Sequence, residues 1–108
     1  MLFKFVHHIA FQVKDYEKAI EFYKEVMGME VKEKTDKETQ LQCGSVTFYV
    51  ENSPNGNTFY AFEVDDLNTA REKLVQAGCK VTEDVNPSAN EGFMVRDPFG
   101  MKFYLSQV

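Results

Sequence analysis

The sequence predicts an α+β protein made of two tandem β-α-β-β-β modules, and three observations lead to this prediction. Residues 59–66 match residues 8–15 at a shift of 51 positions, with Ala, Phe, Val and Asp recurring at the same spacing. Each half then continues with a stretch of helical periodicity that is closed by a glycine. Further runs follow in which apolar and polar residues alternate, as they do in strands. Chance likeness between amphipathic elements is the alternative to an internal duplication.

Module one follows this order along the chain. Its first run alternates polar and apolar residues, so it predicts a strand with one apolar face. Asp15 is the predicted N-cap of a helix whose apolar residues recur at helical spacing, and Gly28 suits the position just past its end. A hairpin around Asp36 and one more strand complete the module. The predicted elements are strand 5–13, helix 16–26 and strands 30–34, 38–43 and 46–50.

Module two repeats the same order. Asp66 is the predicted cap of its helix, and Gly78 closes that helix. Before the last strand, Asp97, Pro98 and Gly100 occupy the positions that a type I turn favours for these residue types. The predicted elements are strand 60–64, helix 67–75 and strands 80–84, 92–96 and 101–107.

The 108 residues predict a single domain with a boundary between its two modules. Residues 52–57 are rich in Asn, Ser, Pro and Gly and read as a linker, so module one spans about residues 1–52 and module two about 57–108. Residues 86–92 form a second loop, which is long enough to be a mobile flap over a site. A solvated surface loop is an equal alternative for that segment.

Charge and cysteine content exclude several classes of function. The 12 basic and 17 acidic residues give a net charge of −5, which disfavours nucleic acid and anionic membrane surfaces as partners. No apolar run approaches the roughly 18 residues of a membrane span, and the N-terminus does not read as a signal peptide. Cys43 and Cys79 lack metal-type spacing. We therefore expect a cytoplasmic protein with free thiols.

The strand face opposite the predicted helices carries an unusual mixture of side chains. It combines aromatic, small and charged residues, whereas an ordinary solvent face is richer in Lys and Glu and a closed core face excludes carboxylates. A partly buried concave surface fits this mixture best, and such a surface is what a ligand site requires. The predicted ligand-binding residues are His8, Gln12, Thr47, Tyr49, Glu51, Phe59, Glu63 and Tyr104.

Three segments, residues 8–15, 19–29 and 96–102, resemble the vicinal oxygen chelate superfamily, also called the glyoxalase/bleomycin resistance/dioxygenase superfamily. The resemblance covers nearly the whole chain. It implies two β-α-β-β-β modules whose sheets curl around a cavity, and a homodimer in which subunits complete the cavities. In the family's enzymes it also implies one divalent metal ion, held by His or Glu on the first and last strands of each module and acting as a Lewis acid.

The family's metal positions, transferred one by one, fall on His8, Tyr49, Phe59 and Tyr104. A phenylalanine offers no donor atom, and a tyrosine with its ordinary pKa near 10 is a poor ligand at neutral pH. Glu51 and Glu63 could substitute only from about 6–7 Å along their strands. The transferred pattern therefore predicts no resident metal cofactor, with His8 as the one retained ligand position and no catalytic residue assigned.

These predictions lead to a principal hypothesis and two alternatives about function. The first is a small-molecule-binding protein, related in type to antibiotic-sequestering members of the superfamily, whose aromatic residues stack a planar ligand or hold a cation. The second is a metal-dependent glyoxalase-like lyase or isomerase, or a dioxygenase-like enzyme, using displaced ligands such as Glu51 or Glu63. The third is a module that binds another protein. Whether the chain is an enzyme stays open at this point.

Overall fold

The computed structural model describes residues 1–84 and 92–108, and it confirms the α+β class and the predicted order of elements. The predicted loop 86–92 lies outside the described residues except for Gly92. The described elements are β1 (Lys4–Val13), α1 (Tyr16–Glu21) with a π-helical segment (Phe22–Val26), β2 (Glu30–Lys34), β3 (Glu38–Cys43), β4 (Val46–Asn52), β5 (Thr58–Val64), α2 (Leu67–Gln76), β6 (Lys80–Asp84), β7 (Phe93–Arg96) and β8 (Lys102–Gln107).

The chain divides into two compact units, which are described separately. The first unit is His7–Thr58, and the second unit is Met1–Val6 together with Phe59–Val108. Each contains the element order β-α-β-β-β within the described residues.

In the first unit the strands lie in the order β2-β3-β4-β1. The pairs β2–β3 and β3–β4 are antiparallel, whereas β4 and β1 run parallel. A parallel neighbour needs a long crossover, which α1 and the β2–β3 hairpin supply. The first and last strands of the unit therefore lie side by side, and His8 pairs with Thr47 in their register.

One face of this sheet is covered by α1. Tyr16 and Ile20 of the helix are buried with Leu41 and Val50 of the sheet. The Tyr16 hydroxyl donates to the Thr35 carbonyl oxygen at 2.9 Å, so this ring is both packed and hydrogen-bonded.

Helix α1 begins at Tyr16 after Asp15 as predicted, but its capping bond and its end differ from the prediction. The Asp15 side chain makes no capping hydrogen bond, because its backbone (φ −91°, ψ 66°) is not in the extended conformation that directs a cap side chain at the first turn. Residues 22–26 are π-helical rather than α-helical, and the Met27 N–H donates to the Phe22 carbonyl oxygen at 3.3 Å. The wider π turn breaks the spacing of the predicted apolar stripe, so Val26 is exposed.

The second unit repeats the arrangement with the strand order β6-β7-β8-β5 and a parallel β5–β8 pair. Asp66 caps α2 as predicted, since its carboxylate accepts from the Thr69 backbone N–H at 3.1 Å. The predicted turn before β8 is also present, with the Gly100 N–H donating to the Asp97 carbonyl oxygen. The buried core of the unit consists of Val64, Leu67, Ala70, Phe93, Val95, Phe103 and Leu105.

In the described part of the chain, neither helix has the length and apolar character needed to cross a membrane.

Candidate functional site

Five of the predicted ligand-binding residues share one sheet face in the first unit. Side chains alternate between the two faces of a strand. The residues that alternate with the core residues under α1 therefore lie on the opposite face of the sheet. The parallel register of β1 and β4 then brings these residues into neighbouring rows. They are His8 and Gln12 of β1 and Thr47, Tyr49 and Glu51 of β4.

Gln12 connects two parts of this face. Its register partner on β4 is Glu51, and the Gln12 side-chain amide donates to the Glu51 carboxylate at 3.2 Å. The other end of the same amide accepts from the Asn57 backbone N–H at 3.1 Å. Because both ends of the amide are engaged, Gln12 holds Glu51 in one orientation. The sequence predicted the two residues on one face but gave no sign of Asn57.

An aromatic pair lies next to this polar pair. The rings of His8 and Tyr49 meet edge to face, with centroids 5.4 Å apart and planes inclined by 76°. Both side chains are half-buried. His7, directly before this pair, has a φ of 49°, in the left-handed region that non-glycine residues seldom adopt. The regular extended backbone of β1 is therefore interrupted immediately before the aromatic pair.

Strand β3 extends the same face with residues that the prediction did not single out. Thr47 is buried, and its hydroxyl donates to the Gln42 side-chain oxygen at 2.9 Å. Gln42 and Gln40 alternate with the buried Thr39 and Leu41, so they lie on the face of Thr47 and Tyr49. That alternation is visible in the sequence and could have identified them.

The outer part of this face is acidic. Glu38 of β3 pairs with Glu51 of β4 in the strand register. Partial burial raises the pKa of the Glu38 carboxyl, and repulsion from Glu51 and Glu33 raises it further. Glu38 and Glu33 also line a small hollow of about 130 Å³. A cation at this edge would relieve the repulsion between the carboxylates.

The other three predicted residues lie in the second unit. Phe59 and Glu63 are on β5 and Tyr104 is on β8, on the face opposite α2. The register of the second unit pairs Ala61 with Tyr104, as that of the first pairs Ala10 with Tyr49. Tyr104 and Tyr49 therefore occupy equivalent positions.

The sequence prediction did not assign Gly92 to the face of the second unit that carries Tyr104. A Cβ atom added at Gly92 would lie 2.9 Å from the Tyr104 hydroxyl oxygen, and its φ of +136° is open only to glycine at low cost. The only sequence signal was a glycine at the start of a predicted strand.

Within the first unit, the side chains of β4 nearest His8 are not the carboxylates or imidazoles that a divalent metal ion prefers. Its neighbours in the first unit are the Thr47 hydroxyl, already hydrogen-bonded, and the Tyr49 ring. Among residues 1–84 and 92–108, no three His, Cys, Asp or Glu side chains are grouped so that they could hold a metal ion.

Comparison with known proteins gives three findings. Residues 5–105 match the family model described as the Glyoxalase/Bleomycin resistance protein/Dioxygenase superfamily. The glutathione transferase FosA of Serratia marcescens is 27% identical over 111 residues, covering 93% of this chain and 78% of that protein.

The third finding concerns solved structures, which this chain resembles in fold. The Mn(II)-bound glyoxalase from Novosphingobium aromaticivorans has a TM-score of 0.73 and 20% identity, covering 98% of this chain and 40% of that one. The homoprotocatechuate 2,3-dioxygenase from Brevibacterium fuscum has a TM-score of 0.75 and 17% identity, covering 97% of this chain and 36% of that one. This chain therefore spans well under half the length of these two proteins.

Proposed function

Because the chain belongs to the glyoxalase/bleomycin resistance protein/dioxygenase superfamily, we propose that it binds or sequesters a small aromatic or cationic molecule without a resident metal ion. The observation that carries this proposal is the surroundings of His8, where a hydroxyl and a phenol ring stand instead of carboxylates or a second imidazole. Such a set binds rings and polar groups well and divalent cations poorly.

The first unit supplies the groups that such a ligand needs. The edge-to-face pair of His8 and Tyr49 offers an aromatic surface on which a planar ring can pack. Glu51, held by Gln12, offers a fixed negative charge, and Glu38 adds a second carboxylate beside it. A fixed carboxylate loses little conformational entropy on binding, so it favours a cation more than a free side chain does.

For the second unit, considered by itself, we propose Phe59, Glu63 and Tyr104 as ligand contacts. They provide two rings and one carboxylate, the same chemical types that the first unit provides. We also propose a homodimer, which the superfamily resemblance implies, and a cytoplasmic location, which the cysteine content favours. Light scattering of the purified chain tests the dimer, and a mass corresponding to one chain would contradict it.

The experiment uses the planar aromatic cation ethidium as probe and isothermal calorimetry as readout. We expect saturable binding that Tyr49→Ala and Glu51→Gln each weaken about three- to tenfold, since each removes one contact type. Glu72→Gln, on the exposed surface of α2, is the matched charge control and should leave the affinity unchanged. Equal affinity in all four proteins would contradict the proposed site.

The relative FosA, a glutathione transferase, supports a second candidate, an enzyme of this superfamily. The superfamily resemblance implies that such an enzyme is metal-dependent. Under this alternative, a glyoxalase-like lyase or isomerase, or a dioxygenase-like enzyme, uses displaced ligands such as Glu51 or Glu63. It predicts metal-dependent turnover of thiohemiacetal or catechol substrates that His8→Ala abolishes. No turnover by the metal-loaded protein on either substrate class would count against it.

A further inference from the structure

A pocket of about 370 Å³ opens on the helix side of the second unit. Phe62 and Phe103 form part of its wall, with ring centroids 5.5 Å apart. Leu74 and Cys79 line it from the end of α2 and the residues just beyond. Because Phe62 alternates along β5 with Ala61 and Glu63, this pocket is on the opposite sheet face from Glu63 and Tyr104. It is therefore independent of the ligand face proposed above.

The first unit explains why the second has space here. The shift of 51 residues places Tyr23 on Leu74 and Phe11 on Phe62. The Tyr23 ring packs edge to face against Phe11 at 5.3 Å and belongs to the periphery of the first core. A leucine does not reach as far as a tyrosine, so the equivalent volume in the second unit is not filled by this side chain.

A second pair of equivalent residues also has the smaller side chain in the second unit. With the one-residue gap that aligns Gly28 with Gly78, Met29 falls on Cys79. Met29 is buried in the first core, whereas Cys79 is a smaller side chain in the pocket wall. At both positions the residue of the second unit is smaller than its equivalent in the first unit. Both of these smaller residues, Leu74 and Cys79, line the pocket.

The mouth of the pocket is a turn held in place by Asp97. Its carboxylate accepts from the backbone N–H groups of Phe99 at 2.9 Å and Met101 at 2.8 Å. Phe99 also lines the pocket and is 93% exposed. A hydrogen-bonded turn therefore places a phenylalanine ring at the edge of an apolar pocket, where a bound ligand would cover it.

We propose that this pocket is a second binding site, which takes a small uncharged molecule with one or two aromatic rings. Its volume lies within the range of about 300–1,000 Å³ that ligand pockets occupy. The wall offers rings, an aliphatic side chain and a sulfur atom, and these favour apolar and aromatic surface. The Asp97 carboxylate repels an anion, and its charge is already met by two N–H donors.

The thiol of Cys79 supports an uncharged interior. Burial raises the pKa of this thiol, and the nearby charge of Asp97 raises it further. The group therefore stays protonated at neutral pH and presents a neutral sulfur to the ligand.

The test titrates the full chain with N-phenyl-1-naphthylamine, an uncharged probe whose fluorescence rises in apolar surroundings. We expect saturable binding, and Leu74→Tyr, which restores the residue of the first unit, should weaken binding at this pocket more than about tenfold. Val75→Tyr adds the same ring at an exposed neighbour outside the pocket and should stay within about twofold of the unchanged protein. Equal affinity of Leu74→Tyr and the unchanged protein would overturn the proposal.

Two further measurements keep the test decisive if Leu74→Tyr fails to fold. Phe99→Ala changes an exposed ring at the mouth and should weaken the probe about threefold. The probe should also slow alkylation of Cys79 by N-ethylmaleimide and leave the exposed Cys43 unaffected. Unchanged alkylation of Cys79 at saturating probe would overturn the proposal. Probe affinity that falls as the protein concentration rises would assign the pocket to a second copy of the chain and overturn it as well.

Discussion

Gly92 shows how a single residue without a side chain shapes the proposed ligand face of the second unit. Its backbone lies against β8, so a methyl group there would meet the Leu105 carbonyl oxygen and the Tyr104 ring. At the same scale, Gln12 determines where Glu51 points. Both effects depend on contacts between strands that are distant in sequence, and a reading of local pattern could not supply them.

Gly92→Ala should therefore lower the free energy of unfolding by about 2 kcal/mol, from backbone strain and steric conflict together. The matched control is Gly44→Ala. Gly44 also has a positive φ, of 59°, but an added Cβ there meets nothing within 4 Å. The control should cost only about 1 kcal/mol. Urea unfolding measures the free energy of unfolding of both variants. Equal losses would show that the steric conflict with β8 does not contribute.

At the scale of elements, the two helices begin in different ways although the sequence predicts the same cap for both. Asp66 has an extended backbone (φ −146°, ψ 100°), and its carboxylate reaches the Thr69 N–H. Asp15 has a different backbone and makes no such bond. Residue type therefore predicted where each helix starts. It did not predict the capping bond, because that bond depends on a dihedral angle that the rest of the fold imposes.

Asp66→Ala should lower the thermal midpoint of unfolding, whereas Asp15→Ala should change it little. Hydrogen bonds from Thr69 lower the pKa of the Asp66 carboxyl in the folded state. A lowered folded pKa means that this stabilisation is complete above the unfolded pKa and disappears as the pH falls below about 4. The difference between the Asp66→Ala protein and the unchanged protein should therefore shrink in acid. A difference that is constant from neutral to acidic pH would contradict the capping role.

At the scale of the whole molecule, the sequence predicted the order of the described strands and placed their bounds within two residues. The alternation of polar and apolar residues along each strand is visible in the sequence, and so are the glycines that end the helices. The π-helical end of α1 was not predicted, because residues 22–26 keep an apolar spacing that also suits an α-helix. The pocket beside Leu74 was not predicted either. Its lining residues Leu74 and Cys79 differ from their equivalents Tyr23 and Met29 in size, and such a difference leaves the periodic pattern unchanged.

The proposed ligand face was predictable as a set of residues but not as a set of hydrogen bonds. Strand alternation placed His8, Tyr49 and Glu51 on one face, and the structure places them there. The partners Gln42 and Asn57 come from a neighbouring strand and from the linker. Their contribution depends on strand register, which the sequence of one chain does not specify.

The proposed binding of a ligand without a resident metal ion can be tested directly. The most direct measurement is calorimetric titration of the chelator-treated protein with Zn²⁺, Ni²⁺, Mn²⁺ and Fe²⁺, beside His8→Ala as the matched variant. We expect no stoichiometric site of micromolar or tighter affinity, and the same weak heats from both proteins. A one-to-one site of micromolar affinity that disappears in His8→Ala would contradict it.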